Sequence, residues 1–310
     1  MLHALIGTFI VTSIATASAQ DPASRPIFRR SVDRVTVSTM VRDRYGRPIT
    51  DLTRDDFQLL DSGQARQITE FRSEAMSLTV ALLVDFSGSM GLADRREASR
   101  SIATDLMRWL TPQDRVGLFA FDKRLRELVP FGSDSNAILD GLGSMRPFGV
   151  TSLFDAIADT GQMLASTAGT HRAVIVLTDG VDNASKLTPA RVSAIASSVD
   201  VPVYLVIVSP PLDRAGQAEL NDTSLDATEQ NRLADLARWT GGQSFVASSP
   251  ERSRAVTREI VTELRHQYVI VFTPDPRPGW HGIEIKTLRK KDLIVRARSG
   301  YIVEGRPDGN

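Results

Sequence analysis

Asp85, Ser87 and Ser89 stand at alternate positions in the segment DFSGSM, directly after the apolar run LTVALLV of residues 78–84. One carboxylate and two hydroxyls at that spacing bring hard oxygen donors to one small volume, which makes half of a site for a divalent cation. The apolar run reads as a strand covered on both faces in a parallel sheet, so Asp85 falls at the strand's carboxyl end. Ligands of open α/β sheets bind in the crevice outside such ends. Two further segments offer oxygens from the same edge. Thr151 lies in GVTS ahead of a helical stretch, and Asp179 closes the run AVIVLT ahead of Gly180, which permits a sharp exit. DxSxS alone is as compatible with a loop built on an Asx or Ser turn. Its convergence with Thr151 and Asp179 on separate strand ends favours a metal site.

The remaining polar residues near these loops read as supporting groups. Asp182 and Asn183 in GVDN are loop or outer-layer residues, Asp155 caps or packs its helix, and Asp122 is an exposed strand-end carboxylate. Catalysis lacks its parts. Ser87 and Ser89 have no histidine partner: His3 falls in the leader, His171 at the amino end of a strand, and His266 and His281 in a separate β module. A phosphorylated strand-end aspartate would want a second acid two residues on, where Ser87 stands, and no P-loop or GxGxxG occurs. The chain therefore reads as a binder and not as an enzyme.

The elements that must hold these loops follow from patterning. From residue 77 apolar strands alternate with helical stretches, the mark of a doubly wound, mostly parallel α/β sheet. Strands are expected over 78–84, 115–121, 173–178, 203–208 and 244–246. Helices are expected over 95–110, 152–164, 189–199, 229–239 and 252–264, with Ser152 and Thr188 as N-caps. In the first helix Ala98, Ile102, Leu106 and Trp109 form the core stripe. Strands are also expected before this unit, over 35–41, 57–60 and 66–72, and after it, over 267–272, 282–288, 293–298 and 301–303. Each set is too small for a stable sheet alone. The α/β domain, 77–265, is thus expected as an insertion in one discontinuous β-sandwich with halves 31–76 and 266–303, followed by a tail, 304–310. The segment from 252 to 264 runs straight into a sandwich strand.

The 310 residues balance 37 Lys plus Arg against 37 Asp plus Glu, which leaves no electrostatic footprint for nucleic acid. Cysteine is absent, which excludes disulfides, thiolate metal sites and cysteine nucleophiles. Residues 1–19 read as a signal peptide, with an apolar stretch from Leu5 to Ile14 and Ala17-Ser18-Ala19 before the cleavage point. Residues 20–30 form a leader. The expectation is a secreted or periplasmic protein with no transmembrane segment in the mature chain.

DxSxS at Asp85, Ser87 and Ser89, the Thr of GVTSLFDAI and TDG at Asp179 resemble the metal-ion-dependent adhesion site of the von Willebrand factor type A domain. The resemblance spans about 77–265. The flanks DLTRDDFQLLDSG and LRHQYVIVFTPDPRPGWHGIEIK, with VRARSGYIV, are similar to a secreted bacterial family related to those domains. The resemblance implies a Mg²⁺ held by the hydroxyls of Ser87, Ser89 and Thr151, with Asp85 and Asp179 acting directly or through water. One coordination position is left for the Asp or Glu of a protein partner. Mn²⁺ suits the same all-oxygen shell, and Ca²⁺ would want more ligands. The function implied is a metal-dependent adhesion or scaffold module. The alternatives are an envelope protein whose metal stabilises the fold and a metal-dependent hydrolase.

Overall fold

The structure is a computed structural model that describes residues 34–73, 77–132, 134–144, 146–167, 171–209, 227–288 and 292–303. The signal peptide, leader and tail read from the sequence lie outside the described residues. In the first flank, β-branched alternation produces β1 (Val35–Arg42), with Val35, Val37 and Val41 turned inward. Then come β2 (Phe57–Asp61), β3 (Gln64–Arg66) and β4 (Ile68–Arg72). The single strand expected over 66–72 is two. β3 completes a tight hairpin with β2, and the chain turns at Gln67 so that Ile68 is buried opposite Phe272 in the other sheet.

The α/β unit supplies β5 (Leu78–Asp85), β6 (Arg115–Phe121), β7 (Leu125–Val129), β8 (His171–Thr178), β9 (Val203–Val208) and β10 (Ser244–Ala247). They form one sheet in the order β10-β9-β8-β5-β6-β7, parallel except for β7. Among the described residues six helices cover it: α1 (Ala93–Trp109), α2 (Ser135–Ser144), α3 (Leu153–Ala165), α4 (Pro189–Ser198), α5 (Ala227–Trp239) and α6 (Pro250–Arg265). Ile102, Ile138 and Ile260 from α1, α2 and α6 fill one core. Leu153, Val192 and Leu236 from α3, α4 and α5 fill the other. Burial on both faces explains the unbroken apolar runs of β5 and β8.

The sequence reading misses β7 and α2, for physical reasons. β7 is an antiparallel edge strand with exposed Arg126 and Glu127, and α2 carries Gly141 and Gly143, poor helix formers held in place by the buried Ile138. The reading also places Trp109 in the core, whereas it is 46% exposed at the end of α1. There the Arg258 guanidinium covers its ring, 5.7 Å from the centroid.

The second flank contributes β11 (Tyr268–Phe272), β12 (Gly279–Thr287), β13 (Ile294–Ala297) and β14 (Gly300–Val303). The sandwich sheets run β13-β1-β11-β4 and β14-β12-β2-β3, so β1, β2 and β4 each pair with a strand from beyond the α/β domain. Arginines fasten sandwich to domain. Arg42 on β1 donates to Glu259 and Glu263 of α6, both at 3.0 Å, and to Gln243 at 2.8 Å. Arg296 on β13 also binds Glu263, and Arg298 reaches the carbonyls of Ser197 and Thr36. A helix gripped over one turn by charged partners on two strands moves with those strands.

Gly242, in the turn between α5 and β10, lies directly against the start of β9: a Cβ there would clash with the Val203 backbone. Gly242→Ala should cost about 3 kcal/mol, the upper end for overpacking, read as a lower urea midpoint. An unchanged midpoint would contradict this packing.

Candidate functional site

The register of the central strands sets the site. β5 pairs in parallel with β8, with Val84 opposite Leu177, and with β6, with Asp85 opposite Phe121. The carboxyl ends of all three strands therefore open on one crevice. Asp85 is buried, with both carboxylate oxygens engaged: Oδ1 accepts from the Ser87 amide at 2.8 Å and Oδ2 from the Thr178 hydroxyl at 2.7 Å. Thr178 in turn accepts from the Gly180 amide at 3.0 Å, which ties the Asp179 loop to Asp85. Gly180 has φ of 90°, the sharp exit expected after Asp179.

The Ser87 and Ser89 hydroxyl oxygens face each other at 3.1 Å, the first buried and the second exposed. The loop carrying Thr151 packs against both of the others. Phe148 donates its amide to the Phe86 carbonyl at 2.8 Å, and Gly88 donates to Gly149 at 3.1 Å. Thr151, itself buried, donates its amide to the Asn183 side chain at 2.9 Å and accepts from the amides of Asn183 and Ala184. The sequence reading places Thr151 at a strand end, whereas its loop joins α2 to α3, because β7 and α2, both missed, intervene after β6. That loop and the loops after β5 and β8 are bonded into one surface that carries Asp85, Ser87, Ser89, Thr151 and Asp179.

The outer residues take specific posts. The N-cap of α3 is not made by the Ser152 side chain; Phe154 donates its amide to Asp182 at 3.1 Å and to Ser185 at 3.0 Å. Ser152 donates its own amide to the Asp122 carbonyl at 2.9 Å. Thr188 does cap α4, accepting from Arg191. Asp155 accepts from the amides of Lys186 and Leu187, so it packs the loop after β8, and Asp122 pairs with Arg126 at 2.8 Å.

Two residues with roles here were not singled out by the sequence. Thr178 is one, visible only once β5 and β8 are known to be neighbours. Arg95 is the other: buried in the first turn of α1, it donates to Asp179 Oδ2 at 2.7 Å and to the Ser89 carbonyl at 3.0 Å. Its signal in sequence is a cation at the wrong end of a helix dipole.

The donors suit a hard cation. Among the described residues no three acidic, histidine or cysteine side chains gather into a metal site, so a cation here would rely on hydroxyls for three of its five protein ligands. Burial pushes the Asp85 carboxyl up to about 6 against the hydrogen bonds from Thr178 and Ser87, and the Asp179 carboxylate adds to the rise. A nearby cation would relieve that cost. Leu92, Phe148 and Val150, on the two loops that meet at Gly88 and Gly149, are 59%, 82% and 42% exposed. They form an apolar rim beside the polar donors.

The described histidines stand elsewhere. His171 begins β8, about 23 Å of strand away from Thr178. His266 bonds the Thr262 carbonyl at the end of α6, and His281 lies buried between Asp61 and the Arg277 carbonyl.

A doubly wound domain with bonded loops at its carboxyl edge has the architecture whose strand ends hold ligands in open α/β sheets. Residues 80–181 match the family model for the von Willebrand factor type A domain. An uncharacterized protein of Borreliella burgdorferi is 24% identical over 176 residues, 53% of this chain and 52% of that relative. This chain thus spans about half the length of that curated relative. Among solved structures, conserved hypothetical protein BatB from Bacteroides thetaiotaomicron is 21% identical, covering 59% of this chain and 97% of its own, with a TM-score of 0.48. A von Willebrand factor type A protein from Catenulispora acidiphila is 12% identical, covering 88% of this chain and 74% of its own, with a TM-score of 0.49.

A carboxyl raised by burial gives stability that is complete below its unfolded value and is lost as pH rises through the folded one. Without divalent cation, the Asp85 contribution should therefore fall between about pH 4 and pH 6. Comparing urea midpoints of the native chain and Asp85→Asn across that range isolates it. Parallel pH profiles would refute the shift.

Proposed function

We propose that this protein is an exported, divalent-metal-dependent protein-binding module of the adhesion or scaffold type. The observation that carries the reading is the joining of Asp85, Ser87, Ser89, Thr151 and Asp179 at one carboxyl edge by direct bonds between their loops. In it Ser87, Ser89 and Thr151 supply hydroxyl oxygens, and Asp85 and Asp179 supply the negative charge. The ion, Mg²⁺ or Mn²⁺, would provide an electrophilic position that a partner's Asp or Glu completes.

This chain's residues prepare that encounter. Thr178 and the Ser87 amide hold the Asp85 carboxylate in one orientation, and the backbone bonds of Gly88 and Phe148 keep the Ser87 and Thr151 loops together. Exposed Ser89 leaves the site accessible, while Leu92, Phe148 and Val150 offer apolar contact around it. A carboxylate flanked by apolar side chains matches such a surface. The remoteness of every described histidine from Ser87 favours binding over hydrolysis. Export rests on the signal peptide read in residues 1–19, and no described helix is long and apolar enough to cross a membrane.

Two measurements test the reading. Titration calorimetry of the full chain with Mg²⁺ and Mn²⁺ should show one site, which Asp85→Ala abolishes while circular dichroism stays native. Capture of a partner from an envelope extract should require the ion and disappear in the same variant. Capture that survives both chelation and Asp85→Ala would sink the proposal.

A further inference from the structure

Arg95 is a buried cation placed where two ordinary rules disfavour it. It lies in the first turn of α1, at the positive end of the helix dipole, and it is only 7% exposed. Its Nε is buried without a hydrogen-bond partner. What compensates is the Asp179 carboxylate at 2.7 Å, itself buried, together with the Ser89 carbonyl at 3.0 Å. Both contacts belong to the candidate site: Asp179 is one of its two carboxylates, and Ser89 one of its hydroxyl donors. A buried ion pair is kept only where both charges are matched, so Arg95 and Asp179 depend on each other.

The same contact halves the negative charge a metal ion would meet. With Arg95 in place the two carboxylates and one guanidinium carry a net charge of about −1, where the carboxylates alone would carry about −2. A divalent ion entering beside Asp179 would sit next to a fixed positive charge in a region of low dielectric, where like charges repel strongly. Arg95 also lines a cleft of about 260 Å³ between α1 and the start of α6, with Asp94, Ser101 and Ser249 on its walls. This cleft leaves space beside Arg95 outside the site.

We propose that Arg95 is the built-in counter-cation of this site: it holds Asp179 when no ion is bound, competes with a divalent ion for that carboxylate, and so sets the site's affinity. The inference rests on the metal-binding reading and deepens it by naming the residue that regulates loading. It makes the head stable without metal and makes occupancy a response to ion concentration.

The test is Mn²⁺ binding to the full chain, followed by calorimetry and by the electron paramagnetic resonance signal of free Mn²⁺. Arg95→Gln removes the charge and Arg95→Met removes both charge and donors; each should tighten Mn²⁺ binding by at least about tenfold. Each should also lower the melting temperature in chelator, with Mn²⁺ restoring it further than it raises that of the native chain. Arg95→Lys keeps the charge and should bind Mn²⁺ as the native chain does. Should either neutral variant fail to fold in chelator, its refolding on addition of Mn²⁺ carries the same meaning, and failure to refold counts against the proposal. A folded neutral variant whose Mn²⁺ affinity is unchanged or weaker overturns it, and if the native chain still binds Mn²⁺ through Asp85, the metal reading survives alone. Binding by the neutral variants but not by the native chain would uphold Arg95 as the competitor and overturn the metal reading for the native protein. Binding by none of them overturns both.

Discussion

The interior strand β5 is the constraint on which the molecule depends. All eight of its residues are buried, so it must be paired on both edges and covered on both faces. That requirement fixes the register of β6 and β8, and the register brings Thr178 within 2.7 Å of Asp85. The same packing that satisfies the strand therefore aligns its polar end with those of its neighbours. Stability and site geometry have a single source, and neither can be altered along β5 without affecting the other.

Much of this was legible in the chain because strong periodicity survives any context. Unbroken apolar runs bounded by Asp85 and Asp179 announce parallel strands and locate their ends, and the two sparse β flanks imply each other. Weak signals failed where tertiary contacts decide. α2 forms despite two glycines because Ile138 reaches the core, and β7 forms as an edge strand with charged residues outward. Residues 66–72 carry one alternating pattern through a corner, since alternation does not record a change of sheet. Asp85, Ser87, Ser89 and Asp179 follow the strand ends that the apolar runs announce, whereas Thr151 stands on the loop between α2 and α3, and Thr178 and Arg95 needed knowledge of neighbours distant in sequence. A hydroxyl ending one strand and a cation starting one helix look ordinary until the partner carboxylates are placed.

The junction between sandwich and head shows how polar groups can join two layers tightly. Arg42 and Arg296 converge on Glu263, and burial raises the carboxyl of Glu263 even though the Arg296 and Arg42 charges oppose the rise. Asp200 takes both the amide and the hydroxyl of Ser38, adding a tie from the domain to β1. Partner-matched charges of this kind specify one docking geometry more strictly than an apolar face would, because a shift leaves them buried and unpaired. α6 is thus part of the sandwich in mechanical terms, and a tilt between the two would have to break these pairs first.

The divided sandwich also dictates an order of events in time. Leu52 donates its amide to the Tyr268 hydroxyl, a contact between residues 216 positions apart, and β1 finds β11 across a similar span. As the chain emerges from the ribosome, the apolar faces of β1, β2 and β4 must wait for strands not yet made. Closing so long a loop through a disordered chain would be slow, but a folded head brings its own two ends together in advance. The domain that carries the site is therefore also the scaffold that assembles the sandwich, and a head that folds late leaves unpaired strands exposed to other chains.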